Sequence, residues 1–145
     1  MGQIVISQVI EEQDRETAFA IRKAVFVDEQ KFDLPLEFDG LDDDADHLLA
    51  VLDGVAVGTL RLRAIDAETA KIERVAVLKT ARGCSVGAAL VKAACHHLGT
   101  HGVRHAKLHA QTHAVEFYAK LGFVAYGAVF DEDDIPHRAM RAELD

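Results

Sequence analysis

The most constraining feature of this sequence is a β-branched run that ends in a short polar turn and continues into an amphipathic pattern. The run reads Lys71-Ile72-Glu73-Arg74-Val75-Ala76-Val77-Leu78, and the turn reads Arg82-Gly83-Cys84-Ser85-Val86-Gly87. A strand followed by a turn and a helix start directs several backbone N–H groups and the positive end of the helix dipole toward one point. Residues 71–87 therefore predict a binding site for a pyrophosphate.

The length and composition of the chain are typical of one globular domain. It has 145 residues, half of them hydrophobic, which is enough for a core without metal or disulfide support. We expect a single domain over residues 1–145 and no membrane partner, because no apolar run approaches the roughly 20 residues that span a bilayer. We also expect no secretory signal. Cys84 and Cys95 stand roughly 16 Å apart on one predicted helix, too far for a disulfide within it. Reduced thiols favour a cytoplasmic location.

Charge is distributed unevenly along the chain. The net charge of −8 argues against a nucleic-acid partner, which usually requires a basic face. Acidic residues concentrate in 28–46 and 131–134, whereas basic residues concentrate in 61–82. The acidic stretches are either solvated loops or part of a field that attracts a cationic acceptor, while the basic stretch attracts an anionic cofactor.

Hydrophobic periodicity predicts alternating strands and helices. Strands are expected over 4–10, 47–52, 55–64, 71–78, 104–110, 123–130 and 137–143. Helices are expected over 13–26, 85–98 and 113–121, the last with Gly122 as its C-terminal cap. The Asp53-Gly54 pair between the second and third strands is a strong hairpin signal. The order βαβββαβαββ predicts an α/β (α+β) fold with a central mixed, mostly antiparallel sheet flanked by helices.

Four further segments give the chain a resemblance to a known family. They are 22–30, 58–62, 72–77 and Phe117-Tyr118 with Leu121-Gly122-Phe123. Together with the turn at 82–87, they resemble the GNAT (GCN5-related N-acetyltransferase) superfamily over most of the chain, and its small bacterial YjcF/ElaA-like members in particular. The phosphate loop of that family follows Gln/Arg-x-x-Gly-x-Gly/Ala. Arg82 and Gly87 match this pattern, and Ser85 replaces its central glycine.

The resemblance implies the GNAT fold and an N-acetyltransferase that moves an acetyl group from acetyl-CoA to a primary amine. It implies direct attack in a ternary complex, a pantetheine arm bonded to the main chain of Val75 and Val77, and a neighbouring strand (104–111) that splays away. A homodimer is also implied. The residues implied to contact the cofactor are Val75, Ala76, Val77, Arg82, Gly83, Cys84, Ser85, Val86, Gly87, Gln111 and Phe117. The alternative function is an acyl-CoA-binding regulatory or partner-binding module without turnover.

Ser85 poses a specific question within the loop. Serine is tolerable at this position if its φ stays negative, where glycine has no special advantage. The alternative is an ordinary helix start in which the Ser85 side chain is the N-cap.

Two residues are candidates for the proton transfers of acyl transfer. The resemblance places Tyr118 as the general acid that protonates the departing thiolate, a step that suits a phenol with a reference pKa of about 10. Its alternative role is to pack its ring and bond a backbone carbonyl. Glu73 is the candidate general base, and an ion pair with Arg61 or Arg63 is an equal alternative. Strict alternation would place Glu73 on the same face as Val75 and Val77, unless a β-bulge intervenes.

Further residues are candidates for binding a small cationic amine acceptor. The resemblance and the acidic loop together indicate Arg22, Glu29, Gln30, Glu37 and His137. The alternative is solvation or pairing within the fold for Arg22 and Gln30, solvation for the acidic residues, and bracing of a strand end for His137. We predict no metal site, although histidines recur every four residues from His97 to His113. A spacing of four would place them on one face of a single helix, but Gly99 and Gly102 interrupt a helix over this range. The histidines therefore do not share one helical face.

Overall fold

Seven strands form one mixed sheet in the computed structural model, which describes residues 2–32 and 39–144. The strands are β1 (Ile4–Gln8), β2 (Asp46–Leu52), β3 (Val55–Ala64), β4 (Thr69–Val77), β5 (His105–Gln111), β6 (Val124–Glu132) and β7 (Ile135–Glu143). Their order is β1-β2-β3-β4-β5-β7-β6. β4 and β5 run parallel, and the other neighbouring strands run antiparallel. The predicted element order and sheet type are confirmed.

The helices differ from the predicted ones in length and in winding. They are α1 (Glu12–Arg22), α2 (Val86–Thr100) and α3 (Val115–Ala119). α1 continues as a π-helix over Lys23–Glu29, and 3₁₀ turns cover Lys79–Ala81 and Thr112–Ala114. The single helix predicted over 13–26 therefore changes its hydrogen-bond pattern after Arg22, a feature that often accompanies functional sites. Within residues 2–32 and 39–144, no helix has the length and apolarity needed to cross a membrane.

Helices cover both faces of the sheet. α2 buries a stripe at helical spacing against one face, which we call the α2 face. This stripe consists of Val86, Leu90, Val91, Ala94 and Leu98. On the opposite, α1 face, Ala18 and Ile21 pack with Leu49 and Ala76. Each large aliphatic side chain buried in this way contributes about 1.5–3 kcal/mol, so the two layers hold the central strands firmly.

A β-bulge interrupts β4 midway along its length. The register between β3 and β4 shifts between Thr59 and Arg61, and Arg74 has a φ of 54°. A bulge inserts one unpaired residue and reverses the alternation of side chains beyond it. Ile72 accordingly belongs to the core beneath α2, whereas Ala76 belongs to the core beneath α1.

The bulge also separates residues that strict alternation would place together. Glu73 lies on the α1 face with Arg61, while Val75 and Val77 pack against the core beneath α2. The side chain of Glu73, the proposed base, therefore lies on the opposite face of β4 from the side chains of Val75 and Val77.

β4 and β5 separate after a short stretch of pairing. Their parallel ladder joins Thr69–Lys71 to residues 105–107 and ends there. β4 nevertheless continues to Val77, and β5 continues to Gln111, which pairs with His137 of β7. The splay implied by the family resemblance is confirmed, and it opens a slot in the middle of the sheet.

Candidate active site

The slot between the separated ends of β4 and β5 is a cleft of about 240 Å³. Its walls come from β4, β5, α3, the β6–β7 hairpin and the end of the π-helix. Six of the residues singled out from the sequence line it, namely Gln30, Glu73, Val75, Gln111, Tyr118 and His137. The fold therefore brings the proposed acid, a pantetheine-contact residue and part of the acceptor set to one place. Glu37 lies outside the described residues.

The loop before α2 contains two residues in the left-handed region of φ. Gly83 has φ 85° and Ser85 has φ 65°. The condition of a negative φ at Ser85 is therefore not met, and the Ser85 side chain makes no capping hydrogen bond to the start of α2. A non-glycine residue in this conformation is strained by roughly 1–2 kcal/mol, which explains the glycine of the family pattern.

This strain leads to a prediction for Ser85→Gly. We expect the substitution to raise the free energy of unfolding by up to about 1 kcal/mol, because relief of the left-handed strain outweighs the added flexibility of the unfolded chain. Urea unfolding measures the change. Ser85→Ala is the matched control, since it keeps the Cβ and removes only a hydroxyl that forms no cap, and it should stay within about 0.5 kcal/mol of the wild type. A larger loss in Ser85→Ala than in Ser85→Gly would show that the hydroxyl stabilises the loop.

Gly87 lies where the start of α2 meets β4 and α3. A Cβ added at Gly87 would stand 3.4 Å from Cζ of Phe117 and 3.8 Å from Cγ2 of Val77. Phe117 remains 39% exposed at this junction. The loop, the end of β4 and Phe117 are thus adjacent, as a continuous cofactor channel requires.

Arg82 and Glu29 pair with one another beside the loop before α2. Arg82 Nη1 donates to Glu29 Oε2 at 2.5 Å and Nη2 donates to Oε1 at 2.6 Å, while Nε donates to the carbonyl oxygen of Val77 at 3.1 Å. The hydrogen bonds from Arg82 lower the pKa of Glu29. Glu29 is not among the residues that line the slot, and the structure places it beside the loop before α2.

Arg22 is also removed from the acceptor side. Its side chain is fully buried, and its Nη1 donates to Oδ1 of Asp42 at 2.6 Å. Its guanidinium also lies over the ring of Phe19, with Cζ 5.1 Å from the ring centroid. Arg15 lies over the same ring, with its Cζ at 4.9 Å. The alternative of pairing within the fold is therefore the one observed, because a residue with no exposed side chain has no surface to offer a substrate.

Glu73 forms the ion pairs that stood as its alternative role. Its carboxylate accepts hydrogen bonds from Arg61 Nη2 and from Arg63 Nε, the latter at 2.7 Å, and only 7% of its side chain is exposed. Burial raises the pKa of Glu73, but the bonds from Arg61 and Arg63 outweigh it and lower the pKa overall. A carboxylate stabilised in its ionised form is a weak acceptor of a proton.

Arg61 is the centre of this charge cluster. Its fully buried Nη1 donates to Asp39 at 2.9 Å and to Asp42 at 3.2 Å, and its Nη2 donates to Asp39 at 3.1 Å. The bonds from Arg61 lower the pKa of Asp39 against the effect of burial. Burial also raises the pKa of Asp42, but Arg22 and then Arg61 outweigh it and lower the pKa overall. The cluster fastens residues 39–42 to β3 and β4, beside the slot.

Tyr118 occupies the inner wall of the slot on α3. Its ring meets those of Phe117 and Phe123 edge-on, at centroid distances of 5.0 and 6.0 Å. Burial raises the pKa of Tyr118 to about 12, so its hydroxyl keeps its proton at neutral pH. The side chain thus combines a fixed ring with a protonated group that can act as a donor.

The sequence interpretation missed an acidic and histidine-rich end of the slot. Glu132 and Asp133 at the β6–β7 turn line it together with His109 of β5. Glu132 Oε1 is 2.8 Å from His109 Nδ1, and Glu132 Oε2 is 3.7 Å from His137 Nε2. The acidic run at 131–134 was the available signal, but nothing in the sequence indicates that it folds back over β5.

Comparison with known proteins decides the family. The model for the Acetyltransferase (GNAT) family matches residues 8–123. The chain belongs to this family. It is an acyltransferase.

Individual relatives place this GNAT enzyme among small bacterial members. A Bacillus subtilis (strain 168) protein with a provisional acetyltransferase name is 41% identical over 146 residues, which is 97% of each chain. The crystal structure of an Acyl-CoA N-acyltransferase from Pseudomonas aeruginosa is 31% identical, with a TM-score of 0.83, and covers 98% of this chain and 99% of that one. Escherichia coli ElaA is 29% identical, with a TM-score of 0.85 over 97% of this chain and 100% of its own.

Proposed function

We propose that this GNAT enzyme, as one domain over residues 1–145, transfers an acetyl group from acetyl-CoA to the nitrogen of a small primary amine in a ternary complex. The observation that carries the proposal is the slot between β4 and β5, which Val75, Gln111 and Tyr118 line, with the loop before α2 following the end of the same strand β4. The name of the Pseudomonas aeruginosa relative, an acyl-CoA N-acyltransferase, supports the same donor class. The two free cysteines support a reducing, cytoplasmic setting. A homodimer stays a prediction of the family resemblance.

The residues present fit the donor. The main-chain edge of 75–77 that faces the slot has no strand paired to it among the described residues, so an extended pantetheine arm can bond there. The backbone N–H groups that precede α2 suit a pyrophosphate. Gln111 and Phe117 flank this path. Bound acetyl-CoA supplies an activated thioester for the amine to attack.

Groups of the chain itself are assigned to stabilise the developing charge and to transfer the proton. The N–H groups at the β4 bulge, where Arg74 and Val75 line the slot, are assigned to stabilise negative charge on the reacting carbonyl oxygen. Tyr118 is assigned to donate its phenolic proton to the departing sulfur. Glu73 is assigned a positioning role, since its ion pairs hold β3 and β4 together beneath the slot.

Calorimetry with acetyl-CoA, free CoA and adenosine tests the donor site. We expect micromolar binding of both CoA species at one per chain and no measurable binding of adenosine, because most of the contacts are to the pyrophosphate and the pantetheine arm. Absence of binding by either CoA species would overturn the proposal.

Thiol release in the presence of amines then tests transfer. We expect release from acetyl-CoA that depends on both the amine and the protein. Tight CoA binding without amine-dependent release would instead identify the chain as a non-catalytic acyl-CoA-binding module.

A further inference from the structure

The end of the slot opposite the cofactor loop contains three polar side chains from three different strands. Glu132 ends β6, His137 lies on β7 and His109 lies on β5. All three line the slot, and the ring of Phe130 lies between the two histidines, with centroids 5.0 Å from His109 and 6.1 Å from His137. This arrangement has no part in the cofactor path and is available to the acceptor.

The hydrogen bonds within this group define which atoms face the slot. His137 Nδ1 lies 2.6 Å from the carbonyl oxygen of Ile135 and donates to it, so a neutral His137 carries its lone pair on Nε2. His109 Nδ1 is 2.8 Å from Glu132 Oε1, which orients that carboxylate. The remaining oxygen, Oε2, stands 3.7 Å from His137 Nε2, which is too long for a direct hydrogen bond.

We propose that His137 Nε2 accepts the proton of the acceptor ammonium and that Glu132, positioned by His109, binds that ammonium and stabilises the protonated imidazole. This inference rests on the proposed acetyl transfer and deepens it by naming the base. In the step, an N–H bond of the ammonium breaks and an Nε2–H bond forms. The amine nitrogen recovers its lone pair, and His137 becomes an imidazolium beside the Glu132 carboxylate.

The slot wall contains other titratable or charged groups. They are Glu73, Arg74, His113, Tyr118 and Asp133. Glu73 is neutralised by Arg61 and Arg63, Arg74 pairs with Asp39 at 3.2 Å, and Tyr118 stays protonated. Asp133 adds negative charge beside Glu132, which favours a cationic acceptor. Phe26 and Phe32, with ring centroids 6.4 Å apart, give the slot an apolar wall for the body of the amine.

The test measures thiol release from acetyl-CoA between pH 5 and pH 9 with 2-phenylethylamine, spermidine and kanamycin as probe amines. With the fastest of these, we expect His137→Gln to lower kcat/KM about 100-fold at pH 7 and to abolish the loss of activity toward acid. Glu132→Gln should raise KM for the amine about tenfold. It should also move the acid limb to lower pH, because a carboxylate no longer favours the protonated, inactive form of the base.

His105→Gln is the matched control. His105 lies on the same strand as His109 and pairs with Glu143 at 2.7 Å, but at the end of β5 that is still joined to β4. We expect it to change kcat/KM less than twofold. Calorimetry should show wild-type affinity for acetyl-CoA in all three variants, which separates the acceptor end of the slot from the donor end and confirms folding.

The outcomes distinguish this inference from the proposed function. If the wild-type protein releases thiol but His137→Gln keeps its acid limb and most of its activity, only the inference is overturned. If no probe amine supports release by the wild-type protein, acetyl transfer and the inference fail together. Should His137→Gln not fold, the pH profile of Glu132→Gln decides, since the Glu132 side chain is 37% exposed and glutamine keeps its size.

Discussion

Replacing Arg61 with alanine is expected to lower the free energy of unfolding by about 3–5 kcal/mol. The guanidinium is fully buried and donates to Asp39, Asp42 and Glu73, two of which are themselves more than nine-tenths buried. Removing it deprives Asp39 and Glu73 of their main partner and leaves Asp42 with Arg22 alone of its two, in a region that water cannot fully reach. Urea unfolding at pH 7 measures the effect. Arg104→Ala is the control, because that side chain is 73% exposed and its contact with Glu68 is 3.9 Å, and it should cost less than about 1 kcal/mol.

The pH dependence separates loss of charge pairing from loss of packing. Folding lowers the pKa values of Asp39, Asp42 and Glu73 below their ordinary values of 3.8, 3.8 and 4.5. Groups with a depressed pKa in the folded state stabilise it above their unfolded pKa, and this contribution disappears as the pH falls through the folded values. The difference between wild type and Arg61→Ala should therefore shrink from pH 7 to pH 3. A difference that stays constant would assign the effect to the cavity alone.

Tyr118→Phe is expected to lower kcat about 100-fold while changing KM for acetyl-CoA less than threefold. General-acid catalysis contributes about 10²–10⁴-fold, and the substitution removes the donor while keeping the ring contacts with Phe117 and Phe123. Because the pKa of Tyr118 is raised to about 12, the wild-type enzyme should show no loss from this group up to about pH 10. Steady-state thiol release measures both constants.

A second tyrosine provides the control for this experiment. Tyr126 lies on β6, outside the slot, with the ammonium of Lys107 5.7 Å from its ring centroid. Tyr126→Phe should leave kcat within twofold of the wild type. Unchanged turnover in Tyr118→Phe at both neutral and alkaline pH would remove Tyr118 from the mechanism and leave a water molecule as the proton source.

The sequence predicted those parts of the site that lie close together along the chain. The change from β4 through the 82–87 loop to α2 is local, so its residue types alone indicated an anion site. Tyr118 was singled out through the family resemblance, which Phe117-Tyr118 and Leu121-Gly122-Phe123 carry. The splay of β5 from β4 required the family resemblance, because the pattern of a separated strand is the same as that of a paired one.

The remaining features depend on partners distant in sequence or on backbone conformation. Arg22 pairs with Asp42, and no periodicity reveals an ion pair of that kind. The bulge at Arg74 inserts one residue into a run whose composition is that of an ordinary strand. The sequence therefore did not determine whether the side-chain alternation continues past Arg74. The positive φ of Ser85 follows from the path of the chain into α2, and a single serine in the sequence does not predict it. The acceptor end of the slot joins β5, β6 and β7 and therefore exists only in the folded chain.

The separation of β4 from β5 has a consequence for the lifetime of the protein in the cell. It leaves two strand edges open inside the sheet, and open edges are where foreign chains add and where local opening begins. If the donor lies along β4 as proposed, it closes one of these edges and stabilises the folded state by about 2.7 kcal/mol at a concentration of 100 times its Kd. Resistance to proteolysis is then expected to rise with the concentration of the coenzyme, because the bound donor lowers the population of the locally opened state.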